Sequence, residues 1–282
     1  MTLAPDLADT IRRNVEAALA EDIGSGDLTA QLIPPDQAAR ASIISRETAV
    51  LCGTAWFEAC FRRLGAQVEI KWFARDGEAV AAGQTLAEIS GNARAMLSAE
   101  RPALNFLQTL SASATATRLY VEAVKDTRAR IMDTRKTLPG LRLAQKYAVK
   151  CGGGENQRAG LYDGILIKEN HIMAAGSIRE ALTQAANIAA PGISIQIEVE
   201  SLDELEQALA AGATLILLDN FDLETLRTAV KLAGSRAELE ASGGITLETV
   251  RAVAETGVHR ISVGSLTKDI QAVDLSMRFE KP

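Results

Sequence analysis

The sequence predicts an α/β protein in which a small amino-terminal α+β domain precedes a (β/α) barrel, and three observations carry that expectation. Beyond about residue 129, strand and helix candidates alternate with short connections. Such alternation implies parallel strands, because parallel neighbours need crossovers. Charged residues or glycines stand at the carboxyl end of strand after strand, where barrel enzymes place their reacting groups. The stretch from about residue 38 to 91 follows a different pattern, strand candidates around one helix, as in a separate antiparallel α+β unit. An open doubly wound sheet is the alternative to a barrel, since six strands are clear rather than eight.

The first twenty residues place Leu3, Leu7, Ile11, Val15 and Leu19 at helical spacing among Asp6, Asp9, Arg12, Arg13 and Glu16. That is an amphipathic helix, whereas a signal peptide needs an unbroken apolar centre. GSGD at Gly24 to Asp27 reads as a tight turn. A strand is expected over Ala41 to Leu51, a helix over Ala55 to Leu64, and further strands over Val68 to Phe73 and Thr85 to Ile89. Within DGEAVAAGQTLAEISG, Gly77 and Gly83 flank a hairpin-like turn of the lipoyl or biotinyl kind, but no lysine sits in it to carry such a cofactor. A long helical tract from about Ala95 to Lys125 carries Leu97, Leu104, Leu107 and Leu110 on one stripe. Pro102 is expected to interrupt it and leave Arg101 at the break, because proline biases the preceding residue away from helical angles.

Six strand candidates follow: Ala129 to Asp133, Gly164 to Ile167, Ser194 to Val199, Thr214 to Leu218, Ala237 to Ala241 and Arg260 to Val263. Helical runs at Leu202 to Ala211, Leu223 to Leu232 and Leu247 to Gly257 separate the later ones. The expected division is a first domain over 1–112 and a barrel over 113–282.

Composition narrows the function classes. At 282 residues, 47% apolar and 23% charged, the chain reads as an ordinary globular protein. The strongest apolar stretch, near Leu215 to Leu218, stops at Asp219, so no run reaches bilayer-spanning length and a cytoplasmic location is expected. Three scattered cysteines, Cys52, Cys60 and Cys151, and only two histidines predict neither a disulfide nor structural zinc. A Cys151 nucleophile with His171 as base is the sharper alternative, but no feature orients that pair, and a small buried thiol is favoured. A net charge of -6 and 4% aromatics argue against a nucleic-acid partner.

Against that acidic background, Arg135, Lys136, Arg142, Lys146, Lys150, Arg158 and Lys168 crowd around the triplet Gly152–Gly153–Gly154. Such crowding predicts a strongly anionic ligand. The strand endings sharpen this. The first is followed by Arg135 and Lys136, and Lys168 interrupts the second. Glu198 and Glu200 lie on the third, Asp219 and Asn220 end the fourth, Glu240 and Ser242–Gly243–Gly244 the fifth, and Gly264 and Ser265 the sixth. Glycines let backbone N–H groups approach a phosphate, and a helix beginning at Thr246 to Val250 would add its positive end, so Ser242, Gly243, Gly244, Gly264 and Ser265 are the phosphate candidates. The planar forks of Arg135, Arg158 and Arg101 suit a ligand with more than one carboxylate. The glycine triplet matches neither a dinucleotide fingerprint nor a P-loop.

Several strings in fixed order, EDIGSGDLTA, ERPALNFLQTLSASAT, DTRKTLPGLR, K-GGG-NQR, LIKENH, IEVES, LDN, SGGI and VGSLTK, make the chain similar to the quinolinate phosphoribosyltransferase family. The resemblance implies an amino-terminal α+β sandwich, an incomplete (β/α) barrel, and a carboxyl-terminal tail, about 270–282, packing on the first domain. It implies quinolinate and 5-phosphoribosyl 1-pyrophosphate as substrates, Mg²⁺ as cofactor, and a homodimer in which Arg101 reaches the neighbouring subunit's site. Arg101, Arg135, Lys136, Gln157, Arg158 and Lys168 correspond to the quinolinate-binding group. The catalytic part falls to Lys136, Lys168, Glu198 and Asp219, with the two acids also on the magnesium side. Gln157 stands where many relatives have histidine, and Lys268 where some do; an amide can donate a hydrogen bond but cannot shuttle a proton. Three other readings remain at this stage: a molybdenum-associated paralogue, a Schiff-base aldolase using Lys168, and a noncatalytic phosphate-binding module.

Overall fold

A computed structural model describes residues 5–65 and 68–280; Leu3, expected on the first helix, lies outside the described residues. α1 (Pro5–Ile23) and a 3-10 turn (Ala30–Leu32) precede β1 (Ala38–Ser45), β2 (Ala49–Val50), α2 (Thr54–Arg63), β3 (Glu69–Trp72), β4 (Ala79–Val80), β5 (Thr85–Asn92) and α3 (Ala93–Ala123). There follow β6 (Arg130–Met132), α4 (Arg142–Gly152), β7 (Gly164–Ile167), α5 (Glu169–Ala175), α6 (Ile178–Ile188) and β8 (Ser194–Val199). The chain ends through α7 (Leu202–Ala210), β9 (Leu215–Asp219), α8 (Leu223–Ala233), β10 (Glu238–Ser242), α9 (Val250–Ala254), β11 (Arg260–Ser262), α10 (Ser265–Lys268) and β12 (Leu275–Phe279). These elements form two compact units, one from Met1–Arg118, Thr137–Gly153 and Leu266–Pro282, the other from Leu119–Lys136 and Gly154–Ser265.

The first unit is built on an antiparallel sheet in the order β12-β1-β5-β3. Ala41 of β1 pairs with Ile89 on one side and Phe279 on the other, so the carboxyl-terminal strand completes the sheet begun by β1. α2 buries Trp56, Phe57, Cys60 and Phe61, spacing that puts all four on one face of a helix. Ile11, Val15 and Leu19 make the buried stripe of α1 in the same way. Two expectations are corrected here. The segment around Gly77 and Gly83 is not a hairpin between its own strands: β4 pairs with β2, Ala49 opposite Val80, and β5 turns instead to β1 and β3. Pro102 does not break the long helix, and Arg101 lies within an unbroken α3. Burial accounts for this, since Ala99, Pro102, Ala103, Leu104, Phe106 and Leu107 are all covered. Burying that apolar stripe outweighs the local penalty of one missing N–H.

The second unit is a six-stranded parallel sheet in the order β6-β11-β10-β9-β8-β7. Each strand from β7 to β10 pairs with the next strand in the chain, and β11 then pairs with β6. A doubly wound sheet reverses direction at a switch point. This order never does, so the arrangement is a barrel left open between β6 and β7. The irregular segment in that gap is tied to both edges: Glu155 bridges to Met132 beside β6, and Arg158 donates to the Gly164 carbonyl at the start of β7, 3.0 Å. The outer helices start cleanly because Ser177, Ser201 and Asp222 accept backbone N–H groups of the first turn. α9 differs from expectation. It begins at Val250, four residues beyond Thr246 and only five residues long, because the Thr249 hydroxyl already accepts the Thr246 N–H in a preceding turn.

Candidate active site

Parallel strands bring their carboxyl ends to one edge of the sheet, so the residue after each strand is held next to the residue after its neighbour. Lys168 follows β7 directly and is the N-cap of α5, so it ends the strand rather than interrupting it as expected. Its extended backbone turns the chain, and its N–H donates to Nδ1 of His171, 3.0 Å. His171 thus serves the turn, not Cys151. From there the Lys168 ammonium reaches Glu198 on the adjacent strand, Nζ to Oε2 2.7 Å, with the carboxylate mostly covered and the ammonium half exposed.

An acidic neighbourhood surrounds this pair. The pKa of Glu200 is raised, first by Glu169 and then by desolvation, Glu204, Asp219 and Glu198. Asp219 ends β9 and accepts the side-chain amide of Asn220, 2.8 Å. The donors assembled at this edge are hard carboxylate oxygens. They fit a hard divalent cation such as Mg²⁺, and Glu198 and Asp219 are the residues that would hold it.

Asn220 also shapes the glycine loop after β10. It sits in the left-handed region, φ 58°, and its N–H donates to the Ser242 carbonyl, 2.9 Å. Gly243 crosses directly over it at φ 104°, where an added Cβ would lie 2.1 Å from the Asn220 Oδ1. Only glycine fits both the angle and the space. With α9 starting late and so short, backbone approach rather than a helix end is what this loop offers an anion. After β11, an added Cβ on Gly264 would meet the Lys136 Cδ at 3.2 Å and lie 3.9 Å from its Nζ, so the lysine stem lies against the glycine backbone. The Ser265 hydroxyl lies 3.4 Å from that of Tyr120.

The arginines come together across the open side. The pKa of Arg158 is lowered, first by desolvation and then by the nearby Arg135, against an opposing pull from Asp163. Arg158 is partly buried and Arg135 exposed, and two guanidinium groups near enough to repel suit a site for an anion. Arg101 belongs to the first unit, exposed on α3.

Three residues matter more than the sequence suggested. Asp133 is fully buried and accepts the Asn156 side-chain amide, 2.6 Å, and the Gln157 N–H, 2.8 Å, thereby fixing the loop that presents Arg158. Glu240, expected at the mouth, is fully buried instead. It accepts the side-chain amides of Gln157 and, at 3.0 Å, Gln196. Burial raises the Glu240 pKa, against the hydrogen bonds that lower it. Gln157 therefore spends its amide on the barrel interior. Gln196 was readable as a polar position on the same face as Ser194 and Glu198 along SIQIEV, since alternate strand residues share a face.

Comparison with known proteins agrees with this geometry. Residues 27–111 match the quinolinate phosphoribosyl transferase N-terminal domain, and residues 113–278 match the quinolinate phosphoribosyl transferase C-terminal domain. A probable nicotinate-nucleotide pyrophosphorylase (carboxylating) of Bacillus subtilis is 45% identical over 257 residues, covering 91% of this chain and 89% of that protein. The nicotinate-nucleotide pyrophosphorylase (carboxylating) of Mycobacterium leprae is 42% identical over 278 residues, covering 95% of each. Among solved structures, the nicotinate-nucleotide pyrophosphorylase of Francisella tularensis superposes with a TM-score of 0.94 at 44% identity, covering 99% of this chain and 98% of that one. With both domain models matched in order along nearly the whole chain and the fold shared with solved relatives, the chain belongs to the quinolinate phosphoribosyl transferase family.

Proposed function

We propose that this protein transfers the phosphoribosyl group of 5-phosphoribosyl 1-pyrophosphate to quinolinate and releases CO₂, giving nicotinate mononucleotide and pyrophosphate. The observation that carries this reading is the combination of neighbouring Arg135 and Arg158, the Lys168–Glu198 ion pair, and Lys136 laid over Gly264. A dicarboxylate and a phosphorylated sugar need those three features together: paired guanidinium forks, acids beside the ribose, and glycine backbone for the phosphate.

In this mechanism Arg135, Arg158, Lys136 and Arg101 of a neighbouring subunit hold the two carboxylates and aim the ring nitrogen at C1 of the sugar. The nitrogen lone pair forms the new C–N bond as the C–O bond to pyrophosphate breaks. Glu198 and Asp219 stabilise the positive charge that develops on the sugar. Alignment of the two reactants can contribute about 7 to 11 kcal/mol. Bound Mg²⁺ would neutralise charge on the departing pyrophosphate. The bond to the 2-carboxylate then breaks, its electron pair stays on the ring carbon beside the quaternised nitrogen, and a proton replaces CO₂. Lys168, in contact with Glu198, is the cation assigned to this exchange. Gln157, engaged with Glu240, positions the loop and carries no proton.

Purified protein supplied with quinolinate, the sugar pyrophosphate and Mg²⁺ is expected to release CO₂ and pyrophosphate in equal amounts. Pyrophosphate release on nicotinate without CO₂, or no turnover of quinolinate, would overturn the assignment. The Schiff-base reading is less favoured because Lys168 is ion-paired and half exposed rather than desolvated within a strand.

A further inference from the structure

The cysteines are scattered in sequence, yet the first unit brings two of them together. The sulfurs of Cys52 and Cys151 and a carboxylate oxygen of Asp76 all lie within 4.8 Å of one another. Cys52 is fully buried, whereas Cys151, near the end of α4, is partly exposed. Both backbones are firmly held. The Cys52 N–H donates to the Ser111 hydroxyl, 2.9 Å, which in turn donates to the Cys52 carbonyl, 3.2 Å. The Cys151 carbonyl accepts Arg118, 3.3 Å, and Gly77 packs against it. Tyr147 donates its hydroxyl to Asp76, 2.9 Å, and Asp76 accepts the Gly53 and Thr54 N–H groups at 3.1 and 3.2 Å, which fixes the carboxylate beside the thiols.

We propose that Cys52 and Cys151 form an oxidisable dithiol, a modification site in which Cys151 meets a peroxide and Cys52 resolves the product to an intramolecular disulfide. The thiols differ in the way such chemistry needs. A hydrogen bond from Cys52 holds the Cys151 thiol below its usual range, against burial and the charge of Asp76. Burial pushes the Cys52 thiol well above its usual range. The reachable sulfur is therefore the better thiolate, and thiolate character with access governs peroxide reactivity.

The Cys151 thiolate attacks the O–O bond of the peroxide, gains one oxygen as a sulfenic acid, and releases the other as water after protonation. The Cys52 sulfur then attacks the sulfenic sulfur, the S–S bond forms, and the hydroxyl leaves as water with the Cys52 proton. Two thiols are oxidised by two electrons and one peroxide is reduced to two waters. The two sulfurs start within 4.8 Å of one another and must close to about 2 Å to form the bridge.

The test is thiol mapping on the intact protein, dialysed against a chelator and then exposed to hydrogen peroxide. A Cys52–Cys151 cross-linked peptide is expected in the non-reducing digest, two hydrogens lighter than the reduced pair, with two of the three thiols lost. Cys60, also fully buried and with its pKa pushed up to about 12 by burial, is the built-in control and should stay alkylatable after denaturation. In Cys52→Ser the reaction should stop at a sulfenic acid on Cys151 that a cyclic 1,3-diketone traps. In Cys151→Ser no adduct should form. Wild-type protein in which Cys151 runs on to the sulfinic acid while Cys52 stays free would overturn the proposal. So would thiols that are masked before dialysis, restored by the chelator, and never found bridged: that outcome would assign Cys52, Asp76 and Cys151 to a thiophilic cation instead.

Discussion

At the scale of single residues, the Lys168–Glu198 pair and the buried Glu240 make opposite demands on charge. The pair lies at the edge of the sheet, 2.7 Å apart, and Lys168→Ala would leave the Glu198 carboxylate without that partner where positive charge is to develop. A charge-assisted bond contributes about 1.5 to 3 kcal/mol, which converts to about a ten- to hundred-fold loss in kcat/KM, and half exposure places the effect toward the smaller figure. Steady-state rates with quinolinate check this, and an unchanged kcat/KM would remove Lys168 from the proposed machinery. Glu240 behaves differently because its carboxyl is fully buried, and burial raises its pKa in the folded protein. An acid whose folded pKa is raised favours the folded state most when protonated, below the ordinary glutamate value of about 4.3. That stability is lost as pH climbs from there through the raised value. Denaturant unfolding at a series of pH values should therefore slope downward over this window in the wild type and flatten in Glu240→Gln. An identical slope in both proteins would show that Glu240 does not set the pH dependence.

At the scale of elements, the parallel strands and two of their crossover helices, α7 and α8, were readable to within a residue or two, because period and capping act locally. SIQIEV is β8 as expected, and α7 runs from Leu202 as expected, with Ser201 capping it. Ser201 accepts the Glu204 N–H at 3.2 Å, so Ser201→Ala is expected to cost about 1 kcal/mol of stability and leave kcat unchanged. Paired thermal or denaturant melts with activity assays would distinguish the cap from the site; lost turnover at full stability would mean that Ser201 acts on the chemistry. The elements that departed from expectation are those decided by distant partners. β4 found β2 rather than its neighbour β5, and α3 ran through Pro102 because its apolar stripe is buried along its length. A local rule prices only the missing N–H at a proline, and it has no information about the packing that compensates. α9 started late for a local reason: a turn from Thr246 to Thr249, closed by the Thr249 hydroxyl on the Thr246 N–H, precedes it.

At the scale of the whole molecule, the strand order follows from sequence logic, since from β7 to β11 each β-then-α unit adds one parallel neighbour and no step reverses. What stayed hidden were pairings across long separations: Gln157 with Glu240, Lys136 with Gly264, Cys52 with Cys151. None of these leaves a periodic trace, and two of them decide what a candidate site residue does. Gln157, expected as a ligand contact, is also tied to a buried carboxylate, and Lys136, expected as a catalytic and quinolinate-binding residue, is laid against Gly264. The remaining demand at this scale is assembly. Arg101 is exposed on the first unit, Arg135 belongs to the second, and the proposed function takes Arg101 from a neighbouring copy. If each site draws Arg101 from one chain and Arg135 from the other, Arg101→Ala and Arg135→Ala proteins should each be nearly inactive alone. In a mixed dimer, one site then inherits both substitutions and the other inherits neither. Equal mixing with free exchange makes half of the dimers mixed, so recovery to about a quarter of wild-type activity is expected for a closed twofold assembly. Mass measurement of the mixture confirms the exchange, and turnover of quinolinate reads the recovery. Mixed dimers present in the expected share yet without activity would mean that each chain supplies both arginines to its own site.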